Sequence, residues 1–154
     1  MKSPSAPSPA PPEPVLATFA VSPLRRWLAA GLVAVGVAGA IVLWWIDPRQ
    51  MPLFRCALHE WTGWYCAGCG ATRATHELLH GHLWAALADN ALWVLALPPA
   101  LWLTACSLRR FVQGRALPAC LASPWFYLLV ISIGLVFALL RNLPWYPFVL
   151  LAPP

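Results

Sequence analysis

The sequence predicts an all-α membrane protein with three transmembrane helices and an interfacial amphipathic helix that follows an extracytoplasmic Cys-x-x-Cys loop. The first two observations behind this fold class are compositional: 60% of the 154 residues are hydrophobic and only 10% are charged. Soluble domains carry about 25% charged residues, so this composition indicates an integral membrane protein. The third observation is that the apolar residues fall into three long runs.

The N-terminal segment, residues 1–24, is predicted to be a disordered cytoplasmic tail. Its first 14 residues are dominated by proline, serine and alanine. Such a composition cannot bury enough apolar surface to fold. The membrane domain is therefore predicted to cover residues 25–154.

Three transmembrane spans are predicted in this domain. Residues 27–46 form 20 uncharged positions, the length that crosses ~30 Å of hydrocarbon and too long for a cleaved signal peptide. The second span covers residues 91–108, and Pro98-Pro99 near its middle predicts a kink. The third covers residues 121–140.

Arginine placement predicts the orientation of these spans. Six basic residues fall on the side of the N-terminus: Lys2, Arg25, Arg26, Arg109, Arg110 and Arg115. Four fall on the opposite side: Arg49, Arg55, Arg73 and Arg141. By the positive-inside rule the N-terminus is cytoplasmic, and the segment that we call the Cys/His module, residues 56–88, is extracytoplasmic.

The partners that the sequence predicts are the lipid bilayer and another membrane protein. A stripe of small residues in the first span, Ala30, Ala34 and Ala38, allows a second helix to approach closely. Nucleic acid is excluded as a partner, because the chain has no basic face with interleaved polar contacts.

The Cys/His module begins in a predicted loop and continues as a helix. Residues 47–70 carry prolines and glycines, which predict a loop, and Trp61 and Trp64 would hold it at the membrane surface. The helical pattern starts at Thr72, a predicted N-cap. One polar stripe of this helix, at the spacing i, i+3, i+4 and i+7, is formed by Arg73, His76, Glu77 and His80.

The run from Tyr65 to Ala74, with its Cys-x-x-Cys-Gly-x-Thr-Arg pattern, resembles the signature of the bacterial membrane family "domain of unknown function 2752". The matching positions are Cys66, Cys69, Gly70, Thr72, Arg73, His80, Asn90, Arg141 and Asn142. The sequence departs from the family pattern at Ala67, where proline is usual. The resemblance implies a small protein of the bacterial cytoplasmic (inner) membrane with a few spans and no established activity.

Three interpretations of Cys66 and Cys69 remain open at this point. They could bind a metal with His76 and His80, and zinc would suit these ligands, although only six residues separate Cys69 from His76. They could instead undergo thiol–disulfide chemistry, favoured by the following helix N-terminus and by Arg73, with Cys56 as a third extracytoplasmic thiol.

The third interpretation is that the thiols only pack in a tight turn. Cys106 and Cys120, near the cytoplasmic edge, are expected to be packing residues or reduced thiols.

Arg141 and Asn142, at the end of the third span, also have two interpretations. They could reach the lipid headgroups, or they could cap the Cys/His module by donating to loop carbonyls or to a bound anion.

The function predicted from the sequence is that of an accessory or interaction component with an extracytoplasmic Cys/His module. The alternative is a membrane thiol–disulfide oxidoreductase or a zinc-dependent site built on Cys66 and Cys69 with His76 and His80. No nucleophile elbow, phosphate loop or dinucleotide fingerprint is present. The sequence therefore leaves open whether the protein is an enzyme, which cofactor it holds and what its oligomeric state is.

Overall fold

The computed structural model describes residues 22–51 and 56–152, and all regular structure within these residues is helical. The predicted all-α class is thus confirmed for the described chain, while most of the predicted tail, residues 1–21, lies outside it. The α-helices are α1 (Pro23–Trp45), α2 (Ala57–Thr62), α3 (Ala71–Leu79), α4 (Leu83–Val112), α5 (Ala119–Ala122) and α6 (Pro124–Leu140). Within the described residues, two 3₁₀ helices cover Pro48–Gln50 and Phe148–Leu151.

Two of the described helices, α1 and α4, are long and apolar enough to cross a membrane. In the most apolar stretch of each, only 6% of the residues are buried inside the molecule. A core helix of a soluble protein would be mostly buried, so the exposed apolar surface favours spans over core helices. Helix α6 is apolar but has 17 residues, at the lower limit of about 17–25 residues for a span.

Helix α4 differs from the predicted second span in its start and in the position of its irregularity. It begins at Leu83, before the predicted start, and it continues through Pro98 and Pro99. The backbone leaves helical geometry at Asn90, where φ is −162° and ψ is 94°. This irregularity lies about two turns before the prolines at which the sequence predicted a kink. Side-chain hydrogen bonds of Asn90, described below, account for the break.

The predicted loop and interfacial helix also required correction. The residues 47–70 include a 3₁₀ helix and α2, a six-residue helix that the prolines and glycines of this segment concealed. Helix α3 is capped by Gly70 and not by Thr72, and it ends at Leu79. Gly81, with φ +81°, then turns the chain into α4.

The core of the described molecule is small and lies between α3 and α4. Ala74, Ala86 and Val94 are buried there, and Leu78 and Leu87 pack against them. The small-residue stripe of α1 lies beside α4: Ala30 and Ala34 line an open apolar groove of about 670 Å³ together with residues of α4.

The ends of the three apolar helices meet around the Cys-x-x-Cys loop. The carbonyl of Leu43, near the end of α1, contacts His76 of α3. Asn90 of α4 and Arg141, just after α6, both donate hydrogen bonds to the carbonyl of Cys69. The C-terminal ends of α1 and α6 and the N-terminal part of α4 therefore lie on the same side of the molecule as the cysteines.

Candidate metal and thiol site

Three cysteine sulfurs form a cluster in which all atoms lie within 4.8 Å of one another: Cys56, Cys66 and Cys69. Cys66 Sγ lies 3.4 Å from Cys56 Sγ and 3.3 Å from Cys69 Sγ. Cys69 is buried, whereas the other two are half-buried, and all three are free thiols. We call these residues the three-thiol cluster.

Local backbone geometry brings each thiol into place. Cys56 is the N-cap of α2, so its sulfur lies near the N-terminus of this helix. Cys66 and Cys69 form a tight turn in which the Cys69 N–H donates to the Cys66 carbonyl at 3.1 Å. In return the Cys66 N–H donates to Cys69 Sγ at 3.2 Å.

Gly70 ends this turn and begins α3. Its φ of +83° lies in the left-handed region. A Cβ placed there would lie closer to the Asp89 carbonyl oxygen than any van der Waals contact permits. Only glycine satisfies both requirements, so Gly70 allows the cysteine turn to lie directly against α4.

Two asparagine side chains hold the loop by its backbone. Asn90 is fully buried, and its Nδ2 donates to the carbonyls of Ala67 at 2.8 Å and Cys69 at 3.0 Å. Asn142 Nδ2 donates to the Tyr65 carbonyl at 2.8 Å, and its Oδ1 accepts from the Tyr65 N–H at 2.9 Å. These contacts satisfy backbone N–H and carbonyl groups of the loop, and leaving such groups without hydrogen bonds is costly when they are buried.

Arg141 lies beneath the loop and is 1% exposed. Its Nη1 donates to the carbonyls of Cys66 and Cys69, both at 3.1 Å, and its guanidinium lies over the rings of Tyr65 and Phe137. Within the described residues its Nε and Nη2 atoms have no hydrogen-bond partner. Of the two sequence interpretations, capping of the module is the arrangement that the structure shows.

The thiols of the cluster differ in acidity. Burial, together with hydrogen bonds to Cys56 and Cys66, raises the pKa of Cys69 to about 12. Burial also acts to raise the pKa of Cys56. Hydrogen bonds from Cys69, from the His59 N–H and from Cys66 outweigh it and lower that pKa to about 7. Of these two residues, Cys56 is therefore the more readily ionised to a nucleophilic thiolate.

A cavity of about 560 Å³ opens onto the three-thiol cluster. All three cysteines line it, and so do six further residues whose side chains can bear charge or donate hydrogen bonds: Arg49, His59, Glu60, Tyr65, Thr72 and Arg73. The cluster is thus reachable from outside through this cavity.

An ion-pair network joins α3 to α4 beside the cavity, and two of its members, Arg49 and Arg73, also line that cavity. Arg49 binds Glu77 at 2.6 Å and the fully buried Asp89 at 2.9 Å, while Arg73 Nε lies 3.8 Å from Asp89. Glu77 also lies 2.9 Å from His82. The hydrogen bond from Arg49 lowers the pKa of Glu77. Glu77, predicted to lie in the polar stripe of this helix, is buried and forms ion pairs within the network.

His76 and His80 lie against the end of α1 and not in the three-thiol cluster. His76 Nδ1 lies 2.5 Å from the Leu43 carbonyl, and His80 Nδ1 lies 2.8 Å from the His76 carbonyl. The His80 ring stacks on Trp44 with centroids 4.5 Å apart. The structure therefore does not bring the two predicted histidine ligands to Cys66 and Cys69.

Sequence reasoning undervalued Cys56 and overlooked His59 as site residues. A signal was present, because Cys56-x-x-His59 repeats the two-residue spacing of Cys66-x-x-Cys69. Paired ligands at this spacing, on two nearby turns, are typical of zinc sites.

Residues 56–104 match the family described as "Protein of unknown function (DUF2752)". No curated protein and no solved structure matches the chain. The matched segment includes the three-thiol cluster, α3 and most of α4, whereas Arg141 and Asn142 lie beyond it. The family resemblance predicted from the sequence is confirmed over these residues.

Proposed function

We propose that the protein is a small accessory component of the membrane whose Cys/His module is held together by a metal ion bound to Cys56, Cys66 and Cys69. The observation that carries this proposal is the mutual proximity of three sulfurs. Tetrahedral zinc with bonds of about 2.3 Å places its sulfur ligands about 3.8 Å apart. Sulfurs now 3.3 and 3.4 Å apart would separate by only roughly 0.4 Å to admit the ion.

The charge around the cluster supports a thiolate site. Three thiolates and a divalent ion leave one net negative charge, which is costly to bury without a counter-ion. Arg141 supplies a buried positive charge directly beneath the turn, and Arg73 lines the cavity. Thiolate ligands favour zinc over magnesium or calcium, which prefer oxygen.

Thiol–disulfide exchange is the second candidate function. Cys66 Sγ lies within 3.4 Å of both other sulfurs, so either neighbour could pair with it after a small movement. Cys56, with its lowered pKa and half-buried position, would first attack an incoming disulfide, forming a mixed disulfide and releasing one thiolate. Cys66 would then attack Cys56 Sγ, forming the Cys56–Cys66 disulfide and releasing the second thiolate, so that the incoming disulfide is reduced.

The location that we propose is the bacterial cytoplasmic membrane, with α6 as the third span and the Cys/His module outside the cytoplasm. The exposed apolar surfaces of α1 and α4 support a membrane location. The ends of α1, α4 and α6 meet at the Cys-x-x-Cys loop, which supports placing the whole module on one side of the membrane. The distribution of arginines supports the extracytoplasmic side.

Metal analysis and thiol counting on the same purified, detergent-solubilised protein test the proposal. We expect about one zinc ion per chain in the wild type. Serine at Cys56, Cys66 or Cys69 should reduce this content, whereas the control variants Cys106→Ser and Cys120→Ser should retain it. Metal-free protein with a disulfide in the cluster would favour the second candidate. Metal-free protein with only free thiols would contradict both.

A further inference from the structure

We infer that His59 is the fourth ligand of this metal, so that the site is a closed Cys₃His centre. This inference rests on the proposed metal function and assigns the position that three cysteines leave open in a tetrahedral site. No other histidine of the described chain lines the cavity that opens onto the three-thiol cluster.

Helix α2 places His59 beside the cluster. Cys56 is the N-cap of this helix and His59 lies three positions later, and both residues line the same cavity. Stacking of the His59 ring on Tyr65, with centroids 4.2 Å apart, holds it next to the residue that precedes Cys66.

A backbone carbonyl favours the ring tautomer that a metal requires. His59 Nδ1 lies 3.1 Å from the Gly63 carbonyl oxygen. Because a carbonyl only accepts hydrogen bonds, Nδ1 carries the proton and the lone pair is on Nε2. Metal-binding histidines typically donate their other N–H to such an acceptor, which fixes the ring orientation.

A small displacement of α2 would complete the centre. His59 is not within the group of atoms separated by at most 4.8 Å, so the ring must approach the sulfurs. Helix α2 has six residues and none of them is buried. It can therefore move toward the Cys66–Cys69 turn without opening a core.

A closed centre has a functional consequence. Structural zinc sites use four protein ligands, whereas catalytic sites keep one position open for water or substrate. With His59 bound, the metal would join α2 to the Cys66–Cys69 turn and would not activate water.

X-ray absorption spectroscopy of the full-length, zinc-loaded protein in detergent tests the inference. We expect three sulfur neighbours and one imidazole nitrogen in the wild type. His59→Gln should lose the imidazole contribution and weaken zinc binding by at least about tenfold. The matched control is His82→Gln, which changes an exposed histidine outside the cavity and should leave the spectrum unchanged. His59→Cys should keep zinc with four sulfur neighbours.

The outcomes separate this inference from the proposed function. Zinc with three sulfurs and an oxygen donor, unchanged by His59→Gln, would overturn the role of His59 and leave the three-thiol metal site standing. A wild-type protein that binds no zinc would overturn the metal function itself. If His59→Gln does not fold, the result with His59→Cys decides: a spectrum with three sulfurs, in place of four, also overturns the assignment.

Discussion

Gly70 combines a left-handed backbone with a contact that no side chain permits. It ends the cysteine turn, caps α3 and lies against the Asp89 carbonyl. Its importance therefore depends on two separable effects, the strain of a positive φ and the steric exclusion of Cβ. Gly81 offers a natural comparison, since its φ of +81° is almost the same and a Cβ at that position would meet nothing within 4 Å.

Gly70→Ala should destabilise the fold more than Gly81→Ala does. Both variants incur a left-handed strain of roughly 1–2 kcal/mol. Gly70→Ala adds a steric cost of roughly 1–3 kcal/mol, because the Asp89 backbone must shift. The difference is measured as the shift in thermal unfolding midpoint in detergent. Equal shifts for the two variants would show that the close approach to Asp89 contributes nothing.

At the residue scale, the sequence indicated a tight turn at Cys66 and Cys69, because cysteines flanked by glycines are a local signal. Donation by Arg141 to the loop carbonyls was only one of two alternatives that the sequence allowed, since this contact joins residues 75 and 72 positions apart. The spacing of His76 and His80 by one helical turn suggested ligands, but the same spacing also serves packing against α1. Only the tertiary contact with Leu43 and Trp44 distinguishes the two.

Among the elements, the 3₁₀ helix Pro48–Gln50 connects α3 to α4 through one arginine. Arg49 binds Glu77 of α3 and Asp89 of α4, and Asp89 is fully buried. Removing a partner from a buried ion pair is costly, because the remaining charge stays in a medium that solvates it poorly.

Arg49→Met should destabilise the protein by less than the roughly 3–5 kcal/mol lost when a fully buried ion pair is broken, because the Arg49 side chain is 40% exposed. Arg73 Nε, 3.8 Å from Asp89, reduces the loss further. The double variant Arg49→Met/Asp89→Asn should recover part of the loss, since it removes the unpaired charge. Thermal unfolding in detergent measures both variants. A double variant less stable than Arg49→Met alone would contradict the expected charge imbalance.

The apolar helices were predictable as elements because long uncharged runs are a strong signal, and α1 and α6 lie close to the predicted spans. Helix α2 was not predictable, because six residues are too few for a helical period to show. The sequence predicted a kink at Pro98-Pro99 but gave no sign of the break at Asn90. That break lies where side-chain hydrogen bonds to the cysteine loop compete with the helical backbone.

For the molecule as a whole, the three-span topology is a prediction that fusion reporters can test. A C-terminal alkaline phosphatase fusion should be active, since this enzyme folds only outside the cytoplasm, and an N-terminal reporter should be cytoplasmic. A phosphatase fused after Arg115 should be inactive, because the connection between α4 and α6 is predicted to face the cytoplasm. Activity of that fusion would overturn the topology.

The anchoring of the cysteine loop by Arg141 and Asn142 has a consequence for the order of biosynthesis. Chains are made from the N-terminus, and these two residues follow their loop partners by 72 to 77 positions. The carbonyls of Tyr65 and Cys66 therefore cannot accept hydrogen bonds from Arg141 and Asn142 until α6 has been synthesised. A chain released before that point would contain the three thiols and Asn90 but would lack the hydrogen bonds from Arg141 and Asn142. The fully hydrogen-bonded loop can therefore exist only in chains whose synthesis has passed the end of α6.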